Sequence, residues 1–253
     1  MPKTSNAVAT PTIDRLRETG ELDPSLEKLI EWDPQGAELL LRVTSNPWSS
    51  GVFSRKEVEF IAIAIHCACT IQDEAGTRRH IRAALDAGAT RDEILLLLKL
   101  GVGLAVHSCS LGAPILLEEM KEAGVKAEGG EKPATPACDQ MRAMGQWNTA
   151  WDPFFELSPE WTDQFFAFAA SIYKSGVFTP KFVELLSIAF DASITHMYAP
   201  GTRRHIKAAR KLGASPEEIM EVLQICVAMG IQACAKGVPI LAEELERTST
   251  ASV

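Results

Sequence analysis

His80 and His205 each sit inside the hexapeptide Gly-Thr-Arg-Arg-His-Ile, at 76–81 and 201–206, and each follows a glutamate by 21 residues, Glu59 and Glu184. Imidazole titrates near neutral pH and carries a proton in either direction, while a carboxylate beside it can hold its tautomer and orientation. Such a pair is equipment for acid–base catalysis. A buried glutamate could serve as the ionised partner or, with its pKa raised by desolvation, as a neutral proton donor. The same residues admit a plainer reading, a packed core histidine and a solvated glutamate favoured by a helix start. Arg78 and Arg203 are duplicated cations whose planar forks could grip a substrate carboxylate, or could simply pair with acids such as Asp73, Glu74 and Asp86. Thr77 and Thr202 share a helix face with the histidines, which are expected near the start of that helix, on a semi-buried edge.

Between glutamate and histidine the copies diverge, HCACTIQDEA at 66–75 against DASITHMYAP at 191–200. His196 and Tyr198 put an imidazole and a phenol into the second loop, and Cys69 is the corresponding contact candidate in the first. His66, Cys67 and Cys69 with His107 and Cys109 are metal-ligand types. Residues 66 and 67 point about 100° apart on a helix, so they cannot share one ion. No metal site and no cofactor is assigned.

The elements that must position these groups are themselves duplicated. Residues 76–94 and 201–219 agree at 12 of 19 positions at an offset of 125, and each copy is preceded by Trp-Asp-Pro (32–34 and 151–153). Ser54 to Glu57, Thr90 to Glu93 and Ser215 to Glu218 have the capping-box pattern, Thr179-Pro180 is a further helix start, and Gly88 and Gly213 suit the left-handed residue that ends a helix. Residues 59–65 alternate like a strand but 184–190 do not, and both runs predict buried helices. A third apolar helix, from about 91 to 112, should let a neighbour approach at Gly101 and Gly103 and should kink or break at Pro114, as its copy should at Pro239. The chain reads as all-α, two helical-bundle units at 12–123 and 141–246 joined by a Gly/Pro-rich linker at 124–140, with unstructured tails at 1–11 and 247–253.

The chain has 253 residues, 46% hydrophobic and 23% charged, with a net charge of −8. That charge opposes nucleic-acid and anionic-membrane partners and leaves a small molecule as the expected ligand, an acidic one if the duplicated arginines grip it. Six cysteines without a disulfide framework suit a reducing cytoplasm, and neither an export signal nor an uncharged membrane span is expected.

The order of a capped helix with an internal glutamate, His-Ile-x-Ala-Ala, Gly-Ala-Thr/Ser-x-x-Glu-Ile and Gly-x-Pro resembles the carboxymuconolactone decarboxylase family, which includes the alkylhydroperoxidase D type. Glu59, His80 to Ala84, Gly88 to Thr90, Glu93-Ile94 and Gly112 to Pro114 carry it in the first half. Glu184, His205, Gly213 to Ser215, Glu218-Ile219 and Gly237 to Pro239 carry it in the second. The resemblance implies a duplicated alkylhydroperoxidase D-like bundle, a trimeric ring for two repeats per chain, and a cofactor-free lyase or isomerase acting on a small carboxylated lactone or cyclic enolisable compound of aromatic catabolism. Peroxidase-type members carry Cys-x-x-Cys where this chain has Asp73 and Gly76, and Tyr198 and Gly201. A thiol-dependent peroxide reductase and a non-catalytic scaffold are the competing readings.

Overall fold

In this computed structural model, which describes residues 9–125 and 133–250, all regular elements among the described residues are helical. The first half forms α1 (Pro11–Glu18), α2 (Glu27–Trp32), α3 (Pro34–Thr44), α4 (Arg55–Cys67), α5 (Glu74–Asp86), α6 (Arg91–Val102) and α7 (His107–Glu122). The second half repeats that order as α8 (Pro136–Ala143), α9 (Asp152–Leu157), α10 (Pro159–Lys174), α11 (Pro180–Ala192), α12 (Ala199–Lys211), α13 (Pro216–Ala228) and α14 (Gln232–Thr250).

Local chemistry sets the helix starts. Ser54, Thr90 and Ser215 each accept a hydrogen bond from the backbone N–H three residues on, and Glu57, Glu93 and Glu218 reach back to the cap. Each box satisfies two N–H groups that a helix end otherwise leaves unpaired. Thr179 accepts from the Phe182 N–H, with Pro180 opening α11. Gly88 and Gly213 take φ of +84° and +91° beyond the ends of α5 and α12, a conformation that L side chains resist.

Residues 58–66 of α4 and 182–191 of α11 are buried without interruption. The strand-like alternation of 59–65 is therefore that of a helix covered on all sides. α4 and α11 pack on each other and, with α5, α6, α12 and α13, share one apolar core drawn from both halves. Each buried side chain of the size of Ile61, Ile63 or Leu185 contributes about 1.5–3 kcal/mol. The opening helices are exchanged: α3 lies on α13 and α2 on α14, while α10 lies on α6 and α9 on α7. The opening helices of each half thus lie against the closing helices of the other.

Three expectations change. The third helix does not break at its proline: Pro114 and Pro239 ride inside α7 and α14, and the interruptions are 3-10 turns at Gly103–Val106 and Met229–Ile231. The chain departs from α geometry where glycine makes this cheap. Gly101 does meet a neighbour, since an added Cβ would lie 3.0 Å from Phe190 Cζ, whereas Gly103 faces open space. Second, Arg91–Glu122 and Pro216–Ser249 are long and apolar enough by composition to cross a membrane, contrary to the sequence reading; residues 100–117 contain no Asp, Glu, Lys or Arg. Third, α1 begins at Pro11, α8 begins at Pro136 within the expected linker, and α14 extends through Thr250. The remaining tail positions, 1–8 and 251–253, and linker positions 126–132 lie outside the described residues.

Candidate active site

Glu59 occupies the second turn of α4, and α5 brings His80 against it. His80 Nδ1 lies 2.6 Å from Glu59 Oε2, and the other carboxylate oxygen accepts from Trp48 Nε1 at 2.8 Å and Arg55 Nε at 2.6 Å. The Glu59 side chain is only 1% exposed. Burial pushes its pKa up, but the hydrogen bond and charge of His80, with Arg55 and Trp48, outweigh burial and hold it below the usual carboxylate range. Glu59 is thus an ionised acceptor rather than a neutral donor. Accepting that bond requires His80 to carry its proton on Nδ1, which leaves Nε2 as the exchangeable nitrogen.

His80 does not stand at a helix start as expected. It is the seventh residue of α5, which begins at Glu74, and His205 is the seventh of α12. The helix-end field fades within the first turn, so the carboxylate, not the macrodipole, is the partner that orients the ring. His80 borders a cavity of about 830 Å³ together with Trp48, Arg55, His66, Arg79 and Arg82. The wall opposite comes from α1, α3 and the 20–26 segment, and Ile225, Met229 and Gln232 of the second half close one side. Arg79 is bonded to Asp23 at 2.8 Å. Arg82 has no ion-pair partner among the described residues.

Beside the dyad, His66 Nδ1 lies 2.7 Å from Asp73 Oδ2, and the His66 and His80 rings are 4.7 Å apart. Burial first, then the neighbouring His80, pushes His66 down to about 4, despite the opposing Asp73. Burial would raise Asp73, but the His66 hydrogen bond prevails and lowers it. A histidine with a depressed folded pKa loses stability for the fold in acid. Between pH 6.5 and about 4 the unfolded chain binds a proton at this position that the folded chain refuses. Stability should therefore fall across that window by about 3 kcal/mol from His66 alone, and fall further below pH 4.5 as Glu59 and Asp73 are protonated. Asp191 and His107 titrate across the same window, so the difference in urea midpoint between the parent and His66→Gln at pH 7, 5.5 and 4.5 isolates the His66 part, and it should shrink as the pH falls.

The second half rebuilds the dyad with different neighbours. His205 Nδ1 lies 2.6 Å from Glu184 Oε2, and Tyr173, which is Trp48 displaced by the 125-residue offset, donates its hydroxyl to Glu184 Oε1 at 3.0 Å. Arg204 stands 2.9 Å from His205 Nε2. Asp191 replaces His66 and Tyr198 replaces Asp73. Burial pushes Asp191 up to about 6, against the pull of His205 and Arg204. His107, at the start of α7, crosses from the first half; its ring stacks on Tyr198 with centroids 3.7 Å apart, and its Nδ1 lies 2.7 Å from His196 Nε2.

Several expected contacts lie elsewhere. Arg78 is exposed and bonded to Glu74 one turn away, and Arg203 is exposed too. The inward cations are their neighbours, Arg79 and Arg204, because the helix turns them toward the histidine face. Thr77 lines a shallow outer groove rather than the cavity, and the Thr202 hydroxyl is spent on the Tyr198 carbonyl. Cys69 is exposed and away from the cavity lining. His66 and His107, once grouped as ligand types, go to opposite halves. Trp48, Tyr173, Arg55 and Asp191 are site residues the sequence reading passed over, and His107 is one it named only as a metal-ligand type and set aside. Extending the 125-residue alignment upstream would have paired Trp48 with Tyr173, two aromatic donors; nothing local places His107 beside His196 and Tyr198.

The positions of the missing thiols are filled. A Cβ on Gly76 would collide with the His66 ring and the Asp73 carboxylate, and one on Gly201 with Asp191 and Tyr198. No cysteine fits at either place without dismantling the pairs beside it. Cys67 is pushed up to about 11 by burial, so its thiol is a poor nucleophile.

The family model described as Carboxymuconolactone decarboxylase family matches residues 34–105 and 159–243, two segments that start 125 residues apart. The chain belongs to the carboxymuconolactone decarboxylase family. Among solved structures it is similar to a protein provisionally described as a gamma-carboxymuconolactone decarboxylase subunit, from Burkholderia xenovorans LB400. The two share 33% identity and a TM-score of 0.83, over 94% of this chain and 97% of the other. No curated protein gives a significant match. Family membership accounts for the all-α duplicated fold.

Proposed function

We propose that the chain is a cofactor-free lyase of the decarboxylase type, acting in the first-half cavity on a small carboxylated lactone or related cyclic enolisable acid. One observation carries this reading: a buried, ionised Glu59 holds His80 by Nδ1 at the edge of a cavity that Arg82, without an ion-pair partner among the described residues, also borders. Arg82 holds a substrate carboxylate at the mouth. When a second carboxylate leaves as CO2, its bonding pair passes into the conjugated carbonyl and gives a dienolate, whose developing charge faces the guanidinium groups. The His80 imidazolium then gives its Nε2 proton to carbon, and solvent restores that proton. Loss of CO2 thus consumes one proton per turnover. The parts also serve isomerisation, retro-aldol cleavage and lactone hydrolysis. The test is an ultraviolet absorbance screen of small lactones and ring-fission acids with the full chain; silence across the panel would remove the lyase reading. Thiol-dependent peroxide reduction has the Gly76 and Gly201 packing and the raised Cys67 thiol against it.

The chain is further proposed to assemble as a homotrimer in the cytoplasm. Val102, Leu111 and Ile115 on α6–α7 and Val227, Ile240 and Leu241 on α13–α14 are exposed on the protomer, apolar side chains that an interface between copies would cover. The expectation is a particle of three chain masses in light scattering after gel filtration, formed without detergent. A monomer, or a dependence on detergent, would send these helices to another partner.

A further inference from the structure

We propose that the second half binds one divalent first-row transition-metal ion between His107, Asp191 and His196. The three side chains arrive from separate elements: the first residue of α7, the last turn of α11, and the loop that precedes α12. One ligand atom from each can be chosen so that all lie within 4.8 Å of one another. His107 Nδ1 is 2.7 Å from His196 Nε2, and His107 Nε2 is 3.8 Å from Asp191 Oδ1. Bonds of about 2.0–2.1 Å in a tetrahedron set ligand atoms about 3.3 Å apart, so a modest turn of the His107 ring seats a single nitrogen among the others.

A second observation is independent of that clustering. Asp191 is 2% exposed, and its Oδ2 is buried with no hydrogen-bond partner among the described residues. The nearest ring nitrogen, His205 Nε2, is 3.7 Å away, too far for a hydrogen bond. Leaving a buried carboxylate oxygen unmatched is costly; Oδ1 of the same carboxylate is the oxygen nearer His107, and a cation held there would offset the charge that Oδ2 leaves uncompensated. The surrounding charges agree: Asp191 and Glu184 face one guanidinium, Arg204, which is turned to His205 and Trp151. Tyr198 stacks on His107, the kind of outer contact that helps to orient a ligand.

Two imidazoles and one carboxylate suit zinc, cobalt, nickel or iron(II) over magnesium or calcium, and three protein ligands leave an open position for water or an oxygen ligand. The first half lacks the set. There Asp191 is replaced by His66, whose Nδ1 is held by Asp73, and His107 by Gln232. The site does not depend on the cavity chemistry proposed for Glu59 and His80.

The test is titration of chelator-treated full-length protein with Zn2+ by calorimetry and with Co2+ by visible absorption. The expected result is one ion per chain, with cobalt ligand-field bands of a nitrogen/oxygen site. His107→Ala, His196→Ala and the isosteric Asp191→Asn should each weaken binding by more than about 100-fold, while His66→Ala leaves it unchanged. Circular dichroism of each metal-free variant checks that the helices persist. Absence of saturable binding overturns the proposal, as does binding unaltered in folded His196→Ala or Asp191→Asn.

Discussion

Replacing His80 with alanine is expected to lower kcat/KM for the substrate found in the screen by roughly 10²- to 10⁴-fold, the range by which a positioned acid or base accelerates proton transfer. The loss should fall mainly on kcat, because the dienolate exists only after substrate is bound, while Arg82, the proposed grip on the carboxylate, is untouched. Removing the ring leaves no nitrogen at the cavity edge where Glu59 now holds one. Added imidazole should restore part of the rate, which a purely structural role for His80 would not allow. Glu59→Gln tests the orienting half of the pair. The amide keeps the shape but can present its NH2 to Nδ1, which favours the wrong tautomer and should move the acidic limb of the pH profile. A greater loss in His205→Ala than in His80→Ala would transfer the chemistry to the second half and overturn the assignment of the cavity.

Gly76→Ala is expected to destabilise the fold by roughly 2–4 kcal/mol, a large fraction of a typical domain's stability. Gly76 is helical, so its need is for space rather than for an unusual φ. Its missing Cβ is where the His66 ring and the Asp73 carboxylate meet. A methyl group there must separate that buried pair or push α5 away from α4, and separation strands a buried carboxylate and an imidazole together. Guanidinium unfolding of the single variant measures the loss. In a His66→Ala background the ring no longer blocks the methyl and the Asp73 carboxylate can swing into the space it leaves, so the two changes should cost less together than their sum. Equal and additive losses would show that the clash is relieved elsewhere.

Much of the architecture was legible because it is written in local chemistry. Ser54, Thr90 and Ser215 with their glutamates mark helix starts within four residues, and Gly88 and Gly213 mark ends. The duplication made each reading checkable against its copy, and it rejected a strand at 59–65. The proline at 114 misled, since a proline's cost is local while the direction of a helix is decided by what it packs on. The arginines misled in the same way: Arg78 and Arg79 are adjacent in sequence, and only the rotation of α5 on α4 decides which faces His80.

From the sequence alone came the all-α class, the two copies, and the pairing of Glu59 with His80 and of Glu184 with His205, because a 21-residue spacing kept in both halves reflects one hairpin built twice. The tertiary structure alone decided that each half's closing helices meet the other half's opening helices, which is why His107 and Gln232, remote in sequence from either dyad, border opposite sites. It also decided that Glu59 is ionised, since that depends on whether Trp48, Arg55 and His80 together offset the loss of water around one carboxylate. Contacts between segments far apart in the chain leave no periodicity behind, and burial is a property of the whole packed core rather than of any residue in it.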